Sequence, residues 1–200
     1  MNVSIVSMAM RSSLVALLVL LVAACAAPPQ GPVFEPVAFR DRAPYLLDVA
    51  RVHIVETPTH VRGGDISERL ETPPVEAARA WARDRLQASG QTDRVLRYTI
   101  RRATIVETQL PRTGGVTGVF RVDQGQRFDV VLDVQVDVVD GTGRTLSSIE
   151  GRAERFATAP ENLTYTERRL LWHRLVRDAA NDLDRELTSR AGDFLARYMR

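Results

Sequence analysis

The chain has 200 residues, 27 basic against 25 acidic, a formal net charge of +2 and a 44% hydrophobic composition. That is an ordinary globular balance, long enough to bury one real core, and it excludes a nucleic-acid footprint. Every basic residue is arginine and the one cysteine is Cys25, which excludes a disulfide within the chain.

Arg11 to Cys25 reads RSSLVALLVLLVAAC. It holds one positive charge, an uncharged apolar run from Leu14, and the small residues Ala23 and Ala24 before the cysteine. The run is shorter than the roughly 20 apolar residues a membrane-spanning helix needs, and its parts are those of a secretory signal. Val22-Ala23-Ala24-Cys25 resembles the lipobox of bacterial lipoproteins. The resemblance implies a signal peptide over residues 1–24, cleavage between Ala24 and Cys25, and a lipid on Cys25. An ordinary signal peptide or an uncleaved anchor is the alternative. In that family a residue other than aspartate after the cysteine goes with sorting to the outer membrane, and Ala26 fits this.

Residues 25–44 form a proline-rich tether, because such segments stay semi-extended and cannot enter a sheet interior. Its second half, with Val33, Phe34, Val37 and Phe39, reads equally as a strap laid on the domain. A single α+β domain over residues 45–200 follows. Tyr45–Glu56 reads as the first strand, with Leu46, Ala50, Val52 and Ile54 on one face. After a polar loop over residues 57–71, Thr72 is placed to cap a helix, Pro73 to occupy its first turn and Glu76 to face its positive end. Val75, Ala78, Ala82 and Leu86 share its apolar face, and Ser89-Gly90 ends it.

The second strand is Arg94–Gln109. Its apolar residues change parity at Arg101-Arg102, which predicts a β-bulge. The third strand is the clearest: Phe128, Val130, Leu132, Val134, Val136 and Val138 alternate with polar residues, giving one core face and one wet face. Asp140-Gly141-Thr142-Gly143 turns the chain into a fourth strand, Arg144–Ala157. Thr164 and Glu167 spell a capping box. The helix they open carries Leu171, Leu175, Ala179, Leu183, Leu187, Ala191 and Leu195 at four-residue steps, a stripe that winds slowly round a helix of 3.6 residues per turn. The expected fold is a two-layer α+β sandwich: a four-stranded, mostly antiparallel sheet in the order β-α-β-β-β-α, with both helices on one face.

No catalytic motif of the G-x-S-x-G, P-loop, G-x-G-x-x-G or H-E-x-x-H type occurs. Asp129, Asp133 and Asp137 lie on one strand face about 13 Å apart at successive steps, too far for paired-carboxylate chemistry. The three histidines, His53, His60 and His173, fall in a strand, a loop and a helix, a scatter typical of structural histidines. No enzyme activity, cofactor or metal site is expected. The one segment without a bland account is Pro111–Gln126. Its glycines carry Val116, Val119 and Phe120, which either tuck against the domain or form a contact surface for a partner or membrane.

With lipobox, tether and element order together, the layout is similar to small bacterial envelope lipoproteins. Its nearest architectures are the lipoprotein partner of the outer-membrane lipopolysaccharide translocon and the auxiliary lipoproteins of ABC-type lipid transporters. The resemblance implies a non-enzymatic, periplasm-facing subunit or chaperone in an envelope assembly or lipid-transport complex, anchored through Cys25 and with an envelope protein as partner. A stand-alone lipid- or glycan-binding module is the alternative.

Overall fold

A computed structural model describes residues 32–57, 61, 63–90, 92–111 and 124–199, and Phe34–Arg200 forms one compact unit. At its centre is the alternating strand Gln124–Val139. Phe128, Val130, Leu132, Val134, Val136 and Val138 are all buried, as a strand with one covered face requires. Numbered in chain order, the strands are β1 (Tyr45–Leu47), β2 (Arg51–Glu56), β3 (Leu86–Ala88), β4 (Val95–Gln109), β5 (Gln124–Val139) and β6 (Thr145–Pro160). The helices are α1 (Pro74–Arg85) and α2 (Tyr165–Leu195), with a 3-10 turn at Ser67–Arg69.

The main sheet has four strands in the order β2-β4-β5-β6. Both β4 and β6 run antiparallel to β5, whereas β2 runs parallel to β4, since a chain returning through a helix arrives in the same direction. The α+β expectation of a mostly antiparallel sheet with two helices on one side is met. The β4 register shifts between Ile100 and Arg102, where the change of parity placed the bulge. The Asp140 carboxylate accepts the backbone N–H groups of Thr142 and Arg144, each at 3.0 Å, and Gly143 supplies the positive φ that the turn needs.

Three expectations need correction. Tyr45–Glu56 is two strands. β1 pairs in parallel with β3 in a separate two-stranded sheet, and only β2 joins the main sheet. Between them the chain crosses from one sheet to the other, and the parity changes with it: Leu47 and Val49 are buried and Leu46 is exposed. The α1 cap is Pro73, with no side-chain bond, and Thr72 is itself buried. Ser89-Gly90 does not end α1, which stops at Arg85 because Leu86–Ala88 is drawn into pairing with β1; the Ser89 amide then donates to the Leu47 carbonyl at 2.8 Å.

The capping box opening α2 is present in both directions, Thr164 to Glu167 and back. Leu175, Ala179, Leu183, Leu187 and Ala191 are buried along the stripe, with Trp172, Val176 and Phe194 beside it; the Leu195 side chain lies outside the described residues. Gly151 of β6 makes this approach possible, because a Cβ there would sit 2.6 Å from a Leu187 methyl. The N-terminal approach is packed as well: Val37 and Phe39 join the core, and the Phe39 amide donates to Asp84 Oδ2 at 2.8 Å.

Leu183 is fully buried between α2 and the sheet. Leu183→Asp places an unpaired charge there and should cost several kcal/mol, enough to unfold a domain of ordinary stability. Far-UV dichroism and a thermal melt read this directly, and a melt like the wild type's would mean α2 is docked elsewhere.

Candidate functional site

The β4 bulge opens a cleft. Before it, the Ile100 carbonyl accepts the Thr57 amide of the chain leaving β2. After it, the Ile105 carbonyl accepts Ile66, and the Glu107 amide donates to Gly64. Between these two covers the β4 edge lies open at Ala103, whose backbone groups face the same way as those of Ile105 by strand alternation. The resulting cleft is about 560 Å³, with Ile66, Val75, Ile100 and Ala103 as its apolar lining, Glu56, Asp65 and Glu68 as its acidic one and Arg69 as a cation among them. Glu56 is tied to Arg79. Asp65 Oδ1 accepts the Ser67 amide at 2.9 Å and the Ser67 hydroxyl at 2.5 Å, and Ser67 Oγ in turn accepts the Ile105 amide at 3.0 Å. Ser67 is thus locked between an aspartate and a backbone amide. A second cleft of about 460 Å³ lies at the other end of the sheet, with Arg51, His53, Arg97, Asp93 and Asp140 in its lining.

The outer face of the sheet, opposite the helices, is a lattice of ion pairs. Arg97 holds Asp137 at 3.0 Å, Arg101 bridges Asp133 at 2.6 Å and Glu150 at 2.5 Å, Arg152 reaches Asp133 at 3.2 Å, and Arg127 holds Asp129 at 2.7 Å. The acidic row is therefore matched by arginines strand for strand, and its members are not free ligands. Burial pushes the Asp137 carboxyl up, but hydrogen bonds from Ser148, Gln135 and Arg97 outweigh it and hold the group below the usual carboxylate range.

On the helical side a buried charge cluster joins three elements. Asp184 of α2 accepts the Trp81 indole N–H at 2.7 Å and Arg85 Nε at 3.0 Å through one oxygen, and Arg42 through the other. Arg85 also donates to the Ala43 carbonyl and to the Tyr45 hydroxyl. Periodicity concealed this cluster, since Arg85 and Asp184 flank apolar stripes; the available signal was Trp81, whose indole N–H needs an acceptor when buried.

The residues singled out from sequence are not brought together here. Ala24 and Cys25, and Val116, Val119 and Phe120 of the glycine-rich segment, lie outside the described residues, as does His60. His53 is on β2, and His173 is on α2 with its ring edge to Phe34 at 5.5 Å. Burial and Arg177 push the His173 imidazole down, against the opposing pull of Glu71 and Glu35. Among the described residues no group of three or more His, Cys, Asp or Glu is placed to hold a metal ion, and no helix is long and apolar enough to cross a membrane.

No protein-family model and no curated protein matches the chain. Among solved structures it is similar to a minor lipoprotein from Acinetobacter baumannii, at 13% identity and a TM-score of 0.40, covering 72% of this chain and 94% of that one. It is also similar to the rare lipoprotein B from Shewanella oneidensis, at 13% identity and a TM-score of 0.36, covering 72% of this chain and 97% of that one. Protein XCC0632 from Xanthomonas campestris matches at 15% identity and a TM-score of 0.29, over 82% of this chain and 96% of that one. No residue of this chain takes a role from these likenesses.

Two outcomes follow from the charge clusters. A carboxyl depressed in the folded state stabilises the fold above its unfolded pKa, near 4, and that contribution is lost as pH falls through the folded value. Asp137→Asn should therefore flatten the fall in melting temperature between about pH 5 and pH 2. Asp184→Ala leaves the buried Arg85 without its carboxylate and should cost about 3–5 kcal/mol in a denaturant titration, whereas removing the exposed Arg177 should cost less than about 1 kcal/mol.

Proposed function

We propose that this chain is a lipid-anchored lipoprotein of the bacterial cell envelope, on the periplasmic face of the outer membrane, serving as a non-enzymatic subunit or chaperone of an envelope assembly or lipid-transport complex. The observation that carries the reading is Val22-Ala23-Ala24-Cys25 at the end of a short apolar run, with Cys25 the only cysteine of the chain. The compact unit begins at Phe34. Once Cys25 is acylated, residues 26–33 are the only chain between lipid and domain, and eight residues reach about 28 Å when fully extended. The domain then works close to the membrane surface. A single acyl chain holds only marginally, and the two or three of a mature lipoprotein give lasting attachment.

The partner contact is assigned to the glycine-rich segment. Burying a side chain such as Val116, Val119 or Phe120 is worth about 1.5–3 kcal/mol, and Gly114, Gly115 and Gly118 raise the entropy cost of ordering them on the domain. A stand-alone lipid- or glycan-binding module would use the bulge cleft, whose volume of about 560 Å³ suits a ligand. Its lining carries three carboxylates and one cation, Arg69, with Glu56 already paired to Arg79.

Cys25→Ser should move the protein out of the membrane fraction; unchanged fractionation, with the precursor cut elsewhere, removes the lipoprotein reading. Changing Val116, Val119 and Phe120 together to Ser should leave the melting temperature unchanged and abolish in-cell crosslinking to the partner. A lowered melting temperature would instead assign these side chains to the core.

A further inference from the structure

β6 spans Thr145–Pro160 and is the last strand of the sheet, so among the described residues no strand pairs with its outer side. Which of its backbone groups face outward follows from the ladder. On β4, Ile100, Ile105 and Glu107 turn away from β5 toward the β2 side. Alternation across the antiparallel pairs then turns the even-numbered residues of β6 away from β5. Arg190 of α2 agrees, since its Nη1 donates to the outward Glu150 carbonyl at 2.7 Å. At the other end Pro160 has no N–H, and its carbonyl accepts the Leu163 amide at 3.4 Å. The open edge is thus Arg152, Glu154, Phe156 and Thr158, closed on both flanks.

We infer that this edge pairs with the same edge of a second copy of the chain, antiparallel about a two-fold axis at Arg155. Three features of the edge select that occupant and register. First, the open stretch is symmetric about Arg155: Arg152 meets the second copy's Thr158 and Glu154 meets the second copy's Phe156. The next pair would be Glu150 with Pro160, the two positions already closed by Arg190 and by proline. Second, Phe156 is 60% exposed on the outer face, with the Arg127 guanidinium 4.1 Å above its ring. In this register Phe156 and its symmetry mate are diagonal neighbours, about 7–8 Å apart and within aromatic reach. Third, Arg155 on the helical side is held by Asp182, with Nη2 to Oδ1 at 2.9 Å. Two bare arginines directly opposite each other would repel; each arrives instead on Asp182, which also takes Arg185 of α2, so the charge at the axis is partly compensated. A long unpaired edge is a template for strand addition, and a two-fold contact must be self-complementary. This edge meets both conditions. The pairing does not require the lipid on Cys25.

The full-length chain, purified in detergent and exposed to a mild oxidant, tests this. Arg155→Cys puts two thiols directly opposite each other in a non-hydrogen-bonded pair, where side chains lie closest, and should give a disulfide-linked dimer on a non-reducing gel. Arg152→Cys places its two thiols about 20 Å apart at the usual strand rise and should give none. Wild type, with Cys25 alone, sets the background. Glu154→Pro removes one outward N–H without touching the β5 ladder; added to Arg155→Cys it should abolish the crosslink and leave the melting temperature unchanged. Absence of a crosslink at Arg155→Cys, equal crosslinking at Arg152→Cys, or a crosslink that survives Glu154→Pro would overturn the inference.

Discussion

The fold turns on Asp184. One carboxylate on α2 gathers the Trp81 indole, Arg85 and Arg42, and so fixes α1, α2 and the segment before β1 in a single arrangement. Apolar burial alone does not set such a register, because a stripe of leucine and alanine can slide over a sheet at modest cost. A buried carboxylate cannot: moved by one helical turn, it would leave a guanidinium and an indole N–H without partners. An apolar replacement of the whole cluster could match its stability. What the cluster adds is geometry, since Arg85 also reaches the Ala43 carbonyl and the Tyr45 hydroxyl and thereby sets where β1 begins.

The same anchoring explains what could be read from sequence. β5 was legible from its alternation, α2 from its capping box and leucine steps, and the bulge from the parity change at Arg101-Arg102, because each depends on neighbours within a few residues. The break at Asp48–Ala50 was not legible. Tyr45–Glu56 has the composition of one strand, and only pairing of β1 with the distant Leu86–Ala88 divides it. The end of α1 failed for the same reason, since Leu86 is a good helix residue taken by a strand partner. The bulge cleft was half legible: the bulge could be seen, but not the acidic residues that Asp65–Glu68 bring to it from another part of the chain.

The outer sides of β4 and β6 are treated differently. β2 covers the first half of the outer β4 edge, and Gly64–Ser67 cover part of the second, leaving the gap at Ala103. β6 has no such cover, and it carries none of the prolines or bulges in mid-strand that commonly blunt an edge. Arg190 and Pro160 close only its flanks. The strand is thus left open over a defined stretch rather than along its whole length, which favours one pairing over a range of slipped ones.

The outer face shows why the edge, and not the face, is the place for association. A sheet with helices on one side exposes the other, and an apolar exposed face would stack on any similar surface. Here Arg97, Arg101, Arg152 and Arg127 lie across that face, each on a carboxylate, with Arg101 reaching from β4 to both β5 and β6. A planar guanidinium can serve two carboxylates at once, which the single ammonium of a lysine does less well, so an arginine-only chain suits this cross-strand lattice. The half-exposed Arg127–Asp129 pair adds little stability, whereas Asp137 is buried under its partners. Covering the lattice would strip water from many charges at once, a cost that grows with the area covered. Phe156 is the large apolar side chain that interrupts the lattice, and it stands beside the open edge.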